Sequence, residues 1–464
     1  MSIQMGAADS SIVAICKRLI AIPSAGPEGT RRIAEFCAAE MLAPNGIEAR
    51  IIPSSHEGLD QVTLVAFIAG RNRDATPLVL NTHLDTVPAG DPALWTECDG
   101  KPYVATVHND RIYGLGAADT KLDFVAKVTA LAQCGRPNRD VLLVGTFGEE
   151  HGLLGAKEFA ASGMLPRDAI AMVGEPSHLQ LITAHKGLMA FELAIGFIPT
   201  RVPDEIEVRR VFHSGKAAHS STPALGDNAI AKAIAAIDGR TNVQVVSING
   251  GDAVNKVPAQ CEVILAADSA DVLTNSSREI IGRATHVIPA QTITTTSRFI
   301  RSLDQFARAS GPAEEDYAAP TLTSNVGVIS TRDDSIVLQF ELRPPPSLAL
   351  DVVREGVDRI VRELPSSADN LQLKLTERRA NPGFRSPNGS EAVELGMAAL
   401  ARVQLPLETG VKAGCTEAGV YAAAGLQPIV FGPGPSTGVI HAPNEYNLLS
   451  EVMAAVRFYR ALLE

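Results

Sequence analysis

The sequence predicts an α/β fold class: a three-layer domain with a mostly parallel sheet, built from both ends of the chain and interrupted by a second, α+β domain. Three observations carry this. Short runs that are almost wholly apolar, such as LVLN at 78–81 and VLLVGTF at 141–147, alternate with segments of helical apolar spacing. That is the pattern of strands buried on both faces between crossover helices. From about residue 188 the strands alternate more and the turns become polar, and toward the C-terminus the first pattern returns. The 464 residues also exceed what one hydrophobic core ordinarily holds. Residues 1–187 and 348–464 are therefore assigned to the α/β domain and 188–347 to the insertion.

The elements follow in chain order. Helical spacing marks 9–21 and 28–43, and 48–53 and 62–69 have strand character. The run at 77–81 is a buried strand. A helix is expected over about 120–134, a strand over 141–147, a helix over 152–162 and a strand over 169–174. In the insertion, 224–238 predicts a helix and 243–249 a strand running into the Gly250-Gly251 turn, with 275–283 assigned to a helix. The stretch 286–320 has no clean period, and its acidic, Pro/Gly/Ala-rich part, 309–320, predicts an exposed excursion. Residues 326–329 and 336–342 form a hairpin, and helix 349–363 follows Pro344-Pro345-Pro346. Helix 392–402, strand 428–431 and helix 448–463 complete the chain.

Composition narrows the function class. Hydrophobic residues make up 45% and charged residues 20%, and Lys+Arg 41 against Asp+Glu 52 gives a net charge of -11. With no Lys/Arg-rich run, nucleic acid is not an expected partner. No stretch reaches 18 apolar residues, so no membrane span is expected. The start, MSIQMGAADSSIVAICKRLIAIPS, lacks a basic leader and a continuous apolar segment, so no signal peptide is expected. Cys16, Cys37, Cys98, Cys134, Cys261 and Cys415 are scattered without a CxxC pair, as in a reducing, cytoplasmic compartment.

Acidic and His residues stand just beyond the apolar strands, where open α/β sheets collect ligands. LVLNTHLDTVP places His83 and Asp85, VLLVGTFGEEHG places Glu149 and Glu150, and AMVGEP places Glu175. GLGAADTKLD sets Asp119 at a helix entrance, and PGPSTGVIHAPNE sets His441 in a late Gly/Pro loop. Each has an ordinary alternative: a structural His, a helix N-cap at Asp119, a solvated Glu pair, a strand end at Glu175. Together they form a donor set. The two imidazoles with three of these carboxylates, those of Asp119, Glu150 and Glu175, suit zinc or a similar borderline ion. Five ligands exceed one open site, and a carboxylate can bridge two ions about 3.5–4 Å apart.

In this order, HLDTVP, GxxDxK, EE, GEP and the terminal H-x-P-x-E resemble the metallopeptidases and deacylases that include acetylornithine deacetylase, succinyl-diaminopimelate desuccinylase, aminoacylase, carboxypeptidase G and the cytosolic dipeptidases. The resemblance spans nearly the whole chain. It implies a dinuclear hydrolase of amide or peptide bonds holding two divalent ions, zinc first, with manganese or cobalt as alternatives. His83 and Glu175 would bind one ion, Glu150 and His441 the other, with Asp119 bridging. Asp85 would orient His83, and Glu149 would be the general base that moves a proton from water to the leaving amine. GKAAHSSTP resembles the family's lid motif and implies His219 as a donor to the oxyanion. The insertion would then be a lid and dimerisation domain, and the protein a homodimer.

The sequence departs from that pattern in places. Leu115 stands where an Arg is common, and Leu122-Asp123 where a Gly-Gly pair is. CTEAG, with Glu417, resembles the acetylornithine deacetylase branch. No Arg closely follows Asn255-Lys256-Val257-Pro258, and a second strand pair ending in Arg343 arrives about eighty residues later, resembling the enlarged, two-part lid of the cytosolic dipeptidases. Asn255 and Arg343 are the candidate substrate-binding residues, Arg343 gripping a carboxylate or forming a structural ion pair. The expected reaction is deacylation of a small N-acyl amino acid. A dipeptidase, a hydrolase of an unusual C–N bond and a non-catalytic binding protein are the alternatives.

Overall fold

The computed structural model describes residues 7–54, 60–270, 276–365 and 371–464. The chain divides into two compact units, Met1–His185 with Phe384–Glu464, and Lys186–Gly383.

In the first unit the sheet order is Ala49–Pro53, Val62–Ile68, Val141–Thr146, Leu78–His83, Ile170–Gly174, Gln427–Phe431, Leu181–His185 and Phe384–Arg385, with Thr409–Lys412 also beside Leu181–His185. The four central strands, from 141–146 to 427–431, pair in parallel. The flanking pairs are antiparallel apart from that of Thr409–Lys412. Successive side chains of a strand point to opposite faces. Leu78 and Leu80 therefore join one apolar layer with helices Ala7–Ile20, Lys121–Cys134, Glu391–Arg402 and Leu449–Leu463. Val79 joins a second layer with Leu154–Ala161 and Ala418–Ala423. This is the three-layer α/β arrangement, parallel where the candidate ligands sit.

The second unit is an eight-stranded antiparallel sheet in the order 276–287, 200–214, 260–266, 245–250, 323–332, 335–343, 188–196, 372–381. Helices Ala229–Ile237, Ala290–Ala309 and Leu350–Arg362 pack with it in a single core. A two-strand ladder pairs Ala218–His219 with Lys256–Val257.

The insertion differs from expectation in three respects. The return to the first unit falls at Phe384, not at 348, because helix Leu350–Arg362 packs on the inserted sheet and strand Gln372–Asn381 pairs with Leu188–Gly196. The helix expected at 275–283 begins outside the described residues. From Ser276 the chain is an edge strand, paired antiparallel with 200–214. Its Ile280-Ile281 and Thr285 suit a ladder, and long-range pairing overrides a weak local signal. The aperiodic stretch contains the 20-residue helix Ala290–Ala309. Thr292, Thr295, Thr296 and Ser297 fill buried positions on it beside Ile293, Phe299 and Leu303, which hides the apolar period. Thr296 returns its hydroxyl to the Thr292 carbonyl at 2.8 Å, which lets such residues lie inside. The 309–320 excursion is largely exposed, as expected, except at Tyr317, which is 4% exposed and whose ring centre lies 5.7 Å from the Lys186 ammonium.

Candidate metal centre

Strands 78–83, 141–146 and 170–174 run parallel, with His83 opposite Thr146 and Thr82 opposite Gly174. Their carboxyl ends open on one edge of the sheet, so the residues just beyond them share that edge. His83 ends its strand, and Glu149, Glu150 and Glu175 follow theirs within a few residues. Asp119 comes from the loop before helix Lys121–Cys134, where Thr120 holds the N-cap position, and the Asp119–Thr120 peptide is cis. His441 sits on a left-handed residue with φ 57° in the late loop.

Asp119 lies between the two imidazoles. Its Oδ1 is 3.1 Å from His83 Nε2 and its Oδ2 is 3.2 Å from His441 Nε2. His441 Nε2 is also 3.0 Å from Glu150 Oε1. Donor atoms of Asp119, Glu150 and His441 all lie within 4.8 Å of one another. His83 Nδ1 is 3.1 Å from the Asp85 backbone carbonyl and 3.6 Å from its carboxylate. A carbonyl only accepts, so Nδ1 carries a hydrogen and Nε2, facing Asp119, is the nitrogen whose lone pair the neutral ring would offer. The Asp85 carboxylate accepts instead from the Glu149 and Glu150 backbone N–H groups, at 3.2 and 3.3 Å. Asp85 thus fixes both the His83 ring and the turn that carries the two glutamates.

The charges are closely coupled. Burial pushes Asp119 upward, but hydrogen bonds from His441 and His83 outweigh it and hold the carboxyl below its usual range. Asp119 and Glu150 together push His441 up to about 11. Burial opposes a charge on His83, yet its bonds to Asp119 and Asp85 leave it raised as well. Burial, then the neighbouring Glu175 charge, raises Glu149; burial raises Glu150 and brings Glu175 to about 7. So many carboxylates require positive charge, and a dication between them would replace the protons that the imidazoles hold. The donors fit: both imidazoles present Nε2, and Asp119 offers one oxygen to each side. Asp119, Glu150 and His441, with His83 beside Asp119, could hold metal, and Glu175 shares their strand edge.

Several supporting residues had no role assigned from sequence. Glu445 accepts from the Ala118 and Asp119 backbone N–H groups at 2.8 and 2.9 Å, fixing the Asp119 loop; its place in H-x-P-x-E was the available signal. Lys412 Nζ lies 3.5 Å from the Glu175 carboxylate. Glu417 accepts from Thr146 at 2.8 Å. Behind the edge lies a fully buried pair, Asp123 and Lys127, at 2.7 Å. Lys127 also donates to the Asn81 carbonyl at 2.5 Å, Thr82 donates to Asp123 at 2.6 Å, and the Tyr459 hydroxyl bonds both Asp123 and the Phe431 carbonyl. A Cβ at position 174 would stand 1.8 Å from Asp123 Oδ2, so the residue before Glu175 has to be glycine.

The other three predicted residues lie in the inserted unit, where they are linked. The Ser220 N–H donates to the Asn255 carbonyl at 3.1 Å, which sets His219 and Asn255 side by side. The Ser221 N–H donates to His219 Nδ1 at 3.2 Å, so Nδ1 is an acceptor and the hydrogen of the neutral ring is on Nε2. Burial, then the charge of Arg343, keeps His219 below its usual range. Arg343, 5% exposed, donates through Nε to Glu341 at 2.7 Å.

The model of peptidase family M20/M25/M40 matches residues 79–464. The chain belongs to this family. As an M20 protein it is a metallohydrolase acting on peptide or amide bonds. It is 28% identical over 304 residues to a probable carboxypeptidase from Aspergillus oryzae, covering 59% of this chain and 67% of the relative. It is 29% identical over 312 residues to acetylornithine deacetylase from Edwardsiella ictaluri, covering 61% and 74%. The crystal structure of aminoacylhistidine dipeptidase from Vibrio alginolyticus shares the fold, with TM-score 0.72 and 16% identity over 99% of this chain and 97% of that one. Among the described residues no helix is long and apolar enough to cross a membrane.

Proposed function

We propose that this M20 hydrolase is a two-metal deacylase that removes the acyl group from a small N-acyl amino acid. The observation that carries the reading is Asp119, whose two oxygens each face one imidazole Nε2, at 3.1 and 3.2 Å, as a bridging carboxylate would. Zinc is the first choice for two imidazoles and three carboxylates. The CTEAG segment and the likeness to an acetylornithine deacetylase support the deacylase over a dipeptidase. The late strand pair ending in Arg343 supports the dipeptidase.

Metal held by His83, Asp119, Glu150, Glu175 and His441 would supply polarisation of the scissile carbonyl and a lowered water pKa. The protein's own residues do the rest. Glu149 takes the proton of that water and passes it to the leaving amine. Neutral His219 offers Nε2–H to the developing oxyanion. Arg343 spends only Nε on Glu341 among the described residues, which leaves its Nη1/Nη2 edge for a substrate carboxylate.

The test is a substrate panel on metal-stripped protein reloaded with zinc, manganese or cobalt. Cleavage of Nα-acetylornithine or another N-acetyl amino acid in preference to dipeptides supports the deacylase. The reverse preference supports the dipeptidase. No cleavage with any of the three metals refutes both.

A further inference from the structure

Glu341 belongs to no motif assigned above, yet it is only 2% exposed. Its Oε1 receives two donors from different parts of the inserted unit. One is Arg343 Nε, at 2.7 Å on the same strand. The other is the hydroxyl of Ser220, 121 residues away in sequence. Ser220 directly follows His219, and its own N–H holds the Asn255 carbonyl at 3.1 Å. One buried carboxylate oxygen therefore ties together the segments that carry His219, Asn255 and Arg343.

Neighbouring bonds fix the rest of the frame. Asn325, opposite Glu341 in the strand register, donates Nδ2 to the Val254 and Lys256 carbonyls at 3.0 and 2.8 Å, pinning the Asn255 loop from both sides. Asn228 in turn donates to the Val326 carbonyl at 2.9 Å and toward Asn325 Oδ1 at 3.4 Å. His219 itself is exposed in part, with its Nδ1 held by Ser221. The ring is thus oriented locally, while its backbone is held by the ladder with Lys256–Val257 and, through the next residue, by the Ser220–Glu341 bond. Arg343 is arranged in the same way: Glu341 takes Nε, so the guanidinium plane is set and the opposite edge is presented.

We infer that Glu341 is a positioning residue that sets two separate elements of the reaction, the His219 donor through Ser220 and the Arg343 carboxylate grip through Nε. This rests on the roles proposed for His219 and Arg343. The geometry separates the two arms. Ser220 touches only the His219 arm, and the Arg343 head group only the carboxylate arm. Losing a preplaced transition-state donor lowers kcat, whereas losing a carboxylate contact made equally in the ground state raises KM. A hydrogen bond to a charged acceptor corresponds to about tenfold or more in rate.

The experiment uses the zinc-loaded full chain and whichever of Nα-acetylornithine, N-acetylmethionine and glycyl-leucine it cleaves fastest, with melting curves recorded for every variant. Ser220→Ala is expected to lower kcat about tenfold at unchanged KM, with a fall in melting temperature of only a few degrees. Arg343→Lys is expected to raise KM with little loss of kcat, since a point charge cannot reproduce the planar fork. Glu341→Gln, which keeps an acceptor oxygen but loses the charge, is expected to change both. Glu341→Ala is expected to be worse in both, so the conservative variant gives a partial rescue. Should Ser220→Ala match wild type while His219→Ala is slowed, Glu341 has no positioning role and the reading of His219 stands. Should His219→Ala match wild type, the reading of His219 fails and the inference with it. Should Glu341→Gln lower only the melting temperature, the residue is structural and the inference is overturned.

Discussion

Lys127→Met tests the buried support behind the metal-ligand edge. Lys127 is fully buried, pairs with Asp123 at 2.7 Å and donates to the Asn81 carbonyl at 2.5 Å and Thr82 Oγ1 at 3.0 Å. Methionine fills a similar volume but removes the cation and all of its donors. Asp123 would then be a buried carboxylate held, among the described residues, by the Thr82 and Tyr459 hydroxyls. Breaking a buried pair in this way costs about 3–5 kcal/mol, because the remaining charge has no counter-ion. At roughly 2–4 °C per kcal/mol for a unit of this size, the melting temperature should fall by roughly 6–20 °C. Asp123→Leu in the same chain removes the stranded charge, and Tyr459 keeps the Phe431 carbonyl at 3.0 Å. The double variant should therefore regain about 1–3 kcal/mol of the loss. The assay is thermal unfolding of the full chain with excess chelator, so that bound metal does not add its own stabilisation. A Lys127→Met protein that melts within about 2 °C of wild type refutes the reasoning, as does a double variant no more stable than the single one.

Three further outcomes are expected. Glu149→Gln should keep metal content near wild type while lowering kcat by about 10²-fold or more, and a variant that turns over normally removes Glu149 as the base. His441→Ala should lose one of two equivalents of zinc on dialysis, measured by atomic emission, because it takes one donor from the Asp119–Glu150 side; two retained equivalents would remove His441 from the ligand set. Zinc binding should release protons. His441 is raised to about 11 without metal, so it is protonated near neutrality and must give up that proton to ligate. Apparent affinity should therefore rise with pH, about tenfold per unit for each proton released, and calorimetry in buffers of different ionisation enthalpy counts the protons. No proton release at pH 7 contradicts the assignment.

What was legible in the sequence was whatever repeats with a short period or stands at a fixed offset from a periodic element. The strands at 78–83, 141–146 and 170–174 announce themselves as apolar runs, and His83, Glu149, Glu150 and Glu175 lie within a few residues of their ends. Parallel pairing then brings those residues to one edge without further information. The helix at 290–309 stayed hidden for the converse reason. Its buried face uses Thr292, Thr295 and Thr296, and the Thr296 hydroxyl returns to the Thr292 carbonyl, so no apolar period is written.

The supporting groups were illegible for a different reason. Nothing in an acidic residue's local sequence says which distant strand end it will lie behind. Asp123 was visible as a departure, an acid where glycine is common, but its meaning depends on Lys127 one turn on, on Tyr459 of the last helix and on the bare Cα of Gly174. Those positions meet only because strands 78–83, 170–174 and 427–431 are neighbours in the sheet. Ser220 and Glu341 pose the same problem in the inserted unit, where neither residue has a local pattern that marks the other. A residue that binds by reaching past the end of its own strand can be read from that strand. A residue that positions another needs the order of the sheet.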